Sequence, residues 1–148
     1  MSEKELGVAV VGSGRIGTLR ASMSARHPSV KFLAVSDKDP TRADVLKQAV
    51  GADLASGDNQ EVIAHPSVTS VFVSTPEHDH LEAVLAAIEL GKPVFLEKPV
   101  ALTIEDADKI VEASERTGTE VVVGYSRRHD RRWMLTKEHI AQGRLGEI

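Results

Sequence analysis

The sequence predicts a doubly wound α/β fold, a parallel sheet with helices on both faces. Three observations predict it. Short Val- and Ile-rich runs alternate with helix-length segments along the whole chain. The first apolar run, Val8-Ala9-Val10-Val11, feeds directly into Gly12-Ser13-Gly14-Arg15-Ile16-Gly17 and then a helical stretch. Aromatic residues make up only 3% of the chain, so Val, Ile, Leu and Ala must fill the interior. That composition suits strands buried on both faces.

The elements follow in order. The first strand is expected at about 6–11, its helix at 15–26 and the second strand at 30–36. Pro40 opens a helix to about residue 50, at the one helical position where proline is favoured. Ala52 to Ala55 reads as a short third strand, and Asp58 caps a brief helix through Ile63 that ends at His65-Pro66. Ser70 to Ser74 is a buried strand. Thr75-Pro76 reads as a cap with proline behind it, starting a helix whose apolar face is Leu81, Val84, Leu85 and Ile88 and which Gly91 ends. Val94 to Leu96 is the next strand. Thr103 and Asp106 form a capping-box variant, with Ile104, Ala107 and Val111 expected on the buried face of the helix and Gly118 at its end. Glu120 to Gly124 is the last strand, and a basic helix runs to about Gln142 with Trp133 as a packing anchor. No repeat or linker interrupts the series, so residues 1–148 read as one domain.

The glycine turn carries specific chemistry. Gly12 permits a tight turn, Gly14 lets a pyrophosphate approach the backbone, and Gly17 lets the helix pack on the strand. The free N–H groups and positive dipole end of that helix attract phosphate. Asp37 lies 20 residues beyond Gly17, at the end of the second strand, where its carboxylate can accept hydrogen bonds from the adenosine ribose hydroxyls. Turn, helix and acid together indicate a dinucleotide site. Asp37 favours NAD, because a carboxylate repels a 2′-phosphate. Lys38 and Arg42 keep NADP open.

Ligands of open parallel sheets bind beyond the carboxyl ends of the strands. Those ends are the 12–17 turn, Asp37, Ser74-Thr75-Pro76, Glu97-Lys98-Pro99 and Gly124 to Arg128, so one edge gathers the polar clusters. Lys98 follows a buried strand between Glu97 and Pro99. A partly buried ammonium there would polarise a carbonyl or hydroxyl beside a bound nicotinamide. The plain alternative is a solvated lysine ending a strand.

Several classes have little support. The net charge is −4, against a general binder of nucleic acid or anionic membrane, although Arg127, Arg128, Arg131 and Arg132 cluster near Trp133. The first two arginines are expected at the cleft and the last two on the helix surface. The chain has no cysteine, which removes thiolate metal sites and cysteine nucleophiles. His78 and His80 diverge at a helix start, so no metal site is expected. Ser13 and Ser56 lack the nucleophile-elbow sequence. No apolar stretch approaches a membrane span, and the acidic opening MSEKELG is unlike a signal peptide, so the expected location is cytoplasmic.

GSGRIG with Asp37, STPEHDH at 74–80, GKPVFLEKP at 91–99, VGYSRRHD at 123–130 and GRLGEI at 143–148 resemble the Gfo/Idh/MocA oxidoreductases, among them glucose–fructose oxidoreductase and inositol 2-dehydrogenase. The resemblance spans essentially the whole chain. It implies a Rossmann-type cofactor domain of an NAD(P)-dependent dehydrogenase acting on a sugar or cyclitol, with hydride transfer to or from a hydroxyl-bearing carbon. It implies that Gly12, Gly14 and Gly17 form the pyrophosphate turn, with Arg15 and Ile16 over the phosphates and Asp37 on the ribose. Ser74, Thr75 and Pro76 would border the dinucleotide, and His80 matches the family's histidine in the following helix. Glu97 would approach the nicotinamide ribose, Lys98 the reacting carbon as the catalytic residue, and Tyr125 and Arg127 the nicotinamide end, with Arg128 nearer the substrate.

The chain departs from the family pattern at Glu77, where asparagine is frequent, and at Ser126 and His129, where an amide and an aromatic are common. The family also continues into a second domain that supplies most substrate contacts and the oligomer face. The resemblance therefore implies a cofactor domain that binds NAD, is inactive alone and forms a homo-oligomer when the second domain is present. A non-catalytic NAD(H)-binding module that senses or scaffolds is the other reading.

Overall fold

The computed structural model describes residues 5–147. Met1 to Lys4, most of the acidic opening, and Ile148, the last residue of the 143–148 motif, lie outside the described residues.

The strands are β1 (Leu6–Val11), β2 (Val30–Ser36), β3 (Leu54–Ser56), β4 (Ser70–Val73), β5 (Val94–Leu96) and β6 (Val121–Val123). The helices are α1 (Arg15–Ala25), α2 (Pro40–Val50), α3 (Asn59–Ala64), α4 (His80–Glu89), α5 (Ile104–Thr117) and α6 (Arg131–Ala141). The six strands form one sheet in the order β3-β2-β1-β4-β5-β6, with every neighbouring pair parallel. This is the doubly wound architecture, and its strand order reverses between β1 and β4. That reversal opens a crevice beyond the carboxyl ends of those two strands.

Side chains alternate across a strand, so a strand buried on both faces needs apolar residues throughout. β1 supplies them. Val8 and Val10 pack with Ala21, Leu33, Val35 and Leu46 on one face. Ala9 and Val11 pack with Val62, Ile63, Val73, Val84 and Ile88 on the other. Helix α1 buries only small residues, Gly17, Ala21 and Ser24, and so lies close against the sheet. A Cβ on Gly17 would stand 1.7 Å from the carbonyl oxygen of Gly12, so no other residue fits that contact. Gly12 has φ +95°, and a Cβ there would meet the Ser74 backbone at 2.8 Å.

Side-chain caps start most helices. Asp39 accepts from Thr41 N at 3.0 Å, Asp58 from Gln60 N at 2.8 Å, Thr103 from Asp106 N at 3.2 Å and Asp130 from Arg132 N at 2.9 Å. Lys92 closes the other end of α3, its Nζ donating to the carbonyls of Ile63 at 2.6 Å and His65 at 2.9 Å.

The structure corrects several local expectations. Thr75 does not cap a helix. Pro76 is extended (ψ 151°), a 3₁₀ turn follows at Glu77–Asp79, and α4 begins only at His80. The buried stripe of α5 is Ile110 and Ala113, whereas Ile104 and Val111 are 76% and 51% exposed. The helical face of α4 that packs inward carries Ala83, Val84, Ala87 and Ile88, with Leu81 and Leu85 only partly buried. The third strand starts two residues later than expected, at Leu54. The basic helix is split into a 3₁₀ turn at Ser126–His129 and α6, because Asp130 leaves helical geometry to act as a cap. Trp133 is not a packing anchor. It is half-exposed, with the Arg127 guanidinium 5.7 Å from its ring centroid, and α6 buries no residue. Among the described residues, no helix is long and apolar enough to cross a membrane.

Candidate functional site

Two clefts meet along the carboxyl edge of the sheet. The smaller, about 370 Å³, is lined by Gly12, Gly14, Arg15 and Ile16 of the turn, Asp37, Lys38, Arg42, Asn59, Ser74 to Pro76 and Asp79. The larger, about 700 Å³, is lined by Arg15, Ile16, Leu19, Arg20, Ser74 to Glu77, Glu97, Lys98 and Gly124 to Arg128. Arg15, Ile16, Ser74, Thr75 and Pro76 border both, so the two are lobes of one trough across the β1/β4 switch point.

In the smaller lobe the Asp37 carboxylate is fastened from two sides. Oδ2 accepts the Ser13 amide at 2.9 Å and Oδ1 the Asp39 amide at 3.0 Å. Asp37 thereby holds both the glycine turn and the start of the next loop. Each carboxylate oxygen has a second lone-pair direction, so the group can still accept from a diol. Arg42 Nη1 stands 3.9 Å from Asp37 Oδ1, and Lys38 Nζ donates to Asp79 Oδ1 at 2.6 Å.

The floor between the lobes fits a pyrophosphate. Gly14 precedes α1 without any side-chain cap, and the first turn of α1 carries no acid. The helix therefore presents its free amides, with their partial positive charge, to the trough. A Cβ on Gly14 would meet no protein atom closer than Arg42 Nη2 at 3.6 Å, so its missing side chain leaves room for a ligand. Beside it, Ser74 Oγ and Thr75 Oγ1 are buried without a hydrogen-bond partner. Buried hydroxyls are ordinarily paired, and a polar ligand in the trough would pair them.

In the larger lobe, Glu97 Oε1 accepts from Arg20 Nε at 3.1 Å and from Arg20 Nη2 at 2.5 Å. The Arg20 guanidinium lies over the Phe95 ring, 4.6 Å from its centroid. Gly124 leaves the space this cluster needs, since a Cβ there would stand 3.0 Å from Phe95 and 3.2 Å from Glu97 Oε2. Lys98 is exposed on the lobe wall rather than partly buried, and Tyr125, Arg127 and Arg128 are exposed opposite it. Arg128 thus reaches the cleft as expected. Arg132 pairs with Asp130 on the surface.

His80 stands apart from the other expected cofactor contacts. It is 1% exposed and lines neither lobe. Its Nδ1 lies 3.0 Å from the carbonyl oxygen of Pro99 and its Nε2 3.1 Å from that of Thr75. The imidazole is thereby wedged between the segment after β5, which carries Lys98, and the segment after β4, and its neutral form donates its one N–H to one of the two carbonyls.

The trough brings together Gly12, Gly14, Arg15, Ile16, Asp37, Ser74, Thr75, Pro76, Glu97, Lys98, Tyr125 and Arg127, with Gly17 packed beneath the turn. Sequence reasoning missed Arg20, Asn59 and the Lys38–Asp79 pair. Arg20 had a local signal, since it follows Ile16 by one helical turn and so shares its face. Asn59, whose Oδ1 accepts from Ser36 Oγ at 2.9 Å, had none.

Comparison with known proteins agrees with this geometry. The Gfo/Idh/MocA family, an oxidoreductase family with an NAD-binding Rossmann fold, matches residues 6–125. Myo-inositol 2-dehydrogenase of Thermotoga maritima is 32% identical over 140 residues, covering 95% of this chain and 42% of that protein. Inositol 2-dehydrogenase 3 of Saccharopolyspora erythraea is 39% identical over 142 residues, covering 94% of this chain and 41% of that protein. The solved structure of scyllo-inositol dehydrogenase from Lactobacillus casei with bound NAD(H) and scyllo-inositol superposes with a TM-score of 0.88 at 28% identity, over 98% of this chain and 43% of that one. The chain thus spans less than half the length of these relatives. A glycine turn, a fastened acid and a reversed strand order, matched over most of the chain, place it in the Gfo/Idh/MocA oxidoreductase family, with NAD as its cofactor.

Proposed function

We propose that this chain is the cofactor half of an NAD-dependent dehydrogenase acting on a hydroxyl-bearing carbon of a cyclitol or sugar. The observation that carries the reading is the single trough joining the glycine turn and Asp37 to Lys98. Asp37 accepts the adenosine ribose hydroxyls. The α1 amides beside Gly14 hold the pyrophosphate, with Arg15 and Ile16 over it. Ser74 and Thr75 donate their hydroxyls, Pro76 borders the dinucleotide, and Glu97, Tyr125 and Arg127 frame the nicotinamide end. When bound, NAD supplies the hydride acceptor. The part played by Lys98 is the proton: an uncharged Nζ takes it from the substrate hydroxyl as a carbonyl forms, and the ammonium returns it in the reverse direction. His80 acts behind the site, by holding the Lys98 segment in place.

The inositol dehydrogenases among the relatives support the cyclitol or sugar class. Their greater length supports placing most substrate contacts, and the contacts of a homo-oligomer, outside these 148 residues. NADH fluorescence titration of this chain tests the binding half. The chemistry is tested by assay over a polyol and sugar panel, on protein that carries the downstream segment. Lys98→Ala is expected to keep NADH binding and to lose roughly a thousandfold in turnover, the range of general acid–base catalysis. An extended protein that binds NADH, oxidises no member of the panel and is indifferent to Lys98→Ala is a sensing or scaffolding module instead.

A further inference from the structure

Of the three cations that line the smaller lobe, Arg15 lies at the start of α1, whereas Lys38 and Arg42 lie on the Asp37 side, where a 2′-phosphate would be received, and each of these two faces a carboxylate. Arg42 lies beside Asp37, while Lys38 is taken by a residue from another part of the fold. Lys38 sits in the segment after β2 and Asp79 in the 3₁₀ turn before α4, 41 residues apart, and both line the lobe. Their 2.6 Å contact spans its mouth. The lysine side chain is 68% exposed and that of the aspartate 18%, so the ammonium reaches inward to a sheltered anion.

The conformation of Asp79 is a second, independent observation. Asp79 is the N-cap residue of α4, where an aspartate ordinarily accepts a hydrogen bond from an amide of the first turn. Its side chain makes no such bond. The carboxylate instead faces Lys38, with His78 Nε2 at 3.5 Å on its other oxygen. The helix start does not account for this orientation, whereas the lobe does.

We propose that Asp79 is a specificity-determining residue: by holding Lys38 across the mouth of the smaller lobe, it disfavours a dinucleotide that carries a 2′-phosphate. The inference rests on the reading that Asp37 takes the adenosine ribose. A phosphate must find an uncommitted cation to offset its desolvation and the repulsion from Asp37. Beside the ribose position two carboxylates face Lys38 and Arg42, and the lobe's remaining cation, Arg15, opens α1 over the pyrophosphate. Loss of the Asp79 charge leaves an ammonium on a flexible stem beside the ribose position, where it is free to turn onto the phosphate.

The test is a fluorescence titration of this chain with NADH and with NADPH at low salt, as wild type, Asp79→Asn and Asp79→Asn with Lys38→Gln. In Asp79→Asn the ratio of the NADPH to the NADH dissociation constant is expected to fall about tenfold, the scale of one charge-assisted phosphate contact. The double variant is expected to return that ratio to within about twofold of wild type, because the gain requires the released ammonium, and added salt is expected to shrink the gain. An unmoved ratio in Asp79→Asn overturns the proposal, as does a gain that survives in the double variant. A wild-type chain that binds neither nucleotide overturns the assignment of the lobe and this inference with it. A wild-type chain that binds NADH while the ratio stays fixed overturns the inference alone.

Discussion

The two lobes of the trough hold their charged groups in opposite ways. In the smaller one, Asp37 is locked by two backbone amides, Lys38 by Asp79, and the carboxylate of Asp37 is only 13% exposed. In the larger one, Lys98, Tyr125, Arg127 and Arg128 stand in solvent, and only the Arg20–Glu97 pair is pinned. A group already fixed loses little conformational freedom when a ligand arrives, whereas a free lysine or arginine loses much more. The smaller lobe is therefore built to supply affinity, and the larger lobe gains its geometry when its side chains are ordered. This division suits a cofactor that is held at its adenosine end and reacts at the other.

The strongest way to break the comparison is through the floor the lobes share. Gly14 and Gly17 are both glycines of the turn, but for different reasons. A Cβ on Gly17 strikes the Gly12 carbonyl at 1.7 Å, a backbone atom that cannot move without shifting β1 from α1. Gly17→Ala is expected to lower unfolding free energy by about 3 kcal/mol or more, as judged by urea denaturation. Gly14 has φ −73° and open space around it, so Gly14→Ala is expected to change stability by less than about 1 kcal/mol. Its NADH affinity is expected to fall at least about tenfold, since the methyl group fills the phosphate position. A folded Gly14→Ala chain with undiminished NADH affinity would place the pyrophosphate elsewhere.

His80 sharpens the contrast at the next level of effect. It touches neither lobe, yet it faces the carbonyls on both sides of the larger one, those of Thr75 and Pro99. His80→Leu keeps the volume roughly constant and removes the ring donor that stands between the two carbonyls. It is expected to cost about 2 kcal/mol in urea denaturation, the scale of leaving a buried carbonyl unpaired. Hydrogen exchange is expected to speed up in the 96–100 segment before it does around Asp37. Equal acceleration in both regions would mean that the lobes are not separately supported.

What the sequence revealed depended on how far apart the interacting residues lie. The glycine turn, Asp37 and the caps Asp58 and Thr103 are local patterns, readable within a few residues of the backbone groups they serve. The Arg20–Glu97 and Lys38–Asp79 pairs join residues 77 and 41 apart, and no periodicity signals such a meeting. Thr75 misled because Thr-Pro is a sound helix-start pattern, but here the strand end keeps Pro76 extended and delays the helix to His80. On α5, the 104, 107 and 111 stripe and the 110 and 113 stripe both have helical spacing. The position of α4 selects the second, leaving Ile104 and Val111 outside.

The smallest expected effect lies at the rim of the larger lobe, where Asp130 caps α6. The Arg132 guanidinium donates to its carboxylate at 2.6 and 3.1 Å and the Arg132 amide at 2.9 Å, holding its pKa down to about 2. A carboxyl whose folded pKa is depressed contributes stability above its unfolded pKa of about 3.9, and loses that contribution as pH falls through the folded value. The stability the cap lends should therefore be full above about pH 4 and mostly lost by about pH 2, where the carboxyl is half protonated. Because the pair sits in solvent, its loss should fray the first turn of α6 without unfolding the sheet. The carboxyl carbon-13 shift of Asp130 is expected to titrate with a midpoint near 2, alongside the amide shifts of Arg131 to Trp133. In Asp130→Asn, those amides should no longer respond to acid in that window. A midpoint near 4 would show that Arg132 does not hold the cap in solution, and the rim would then be as loosely ordered as the exposed side chains it borders.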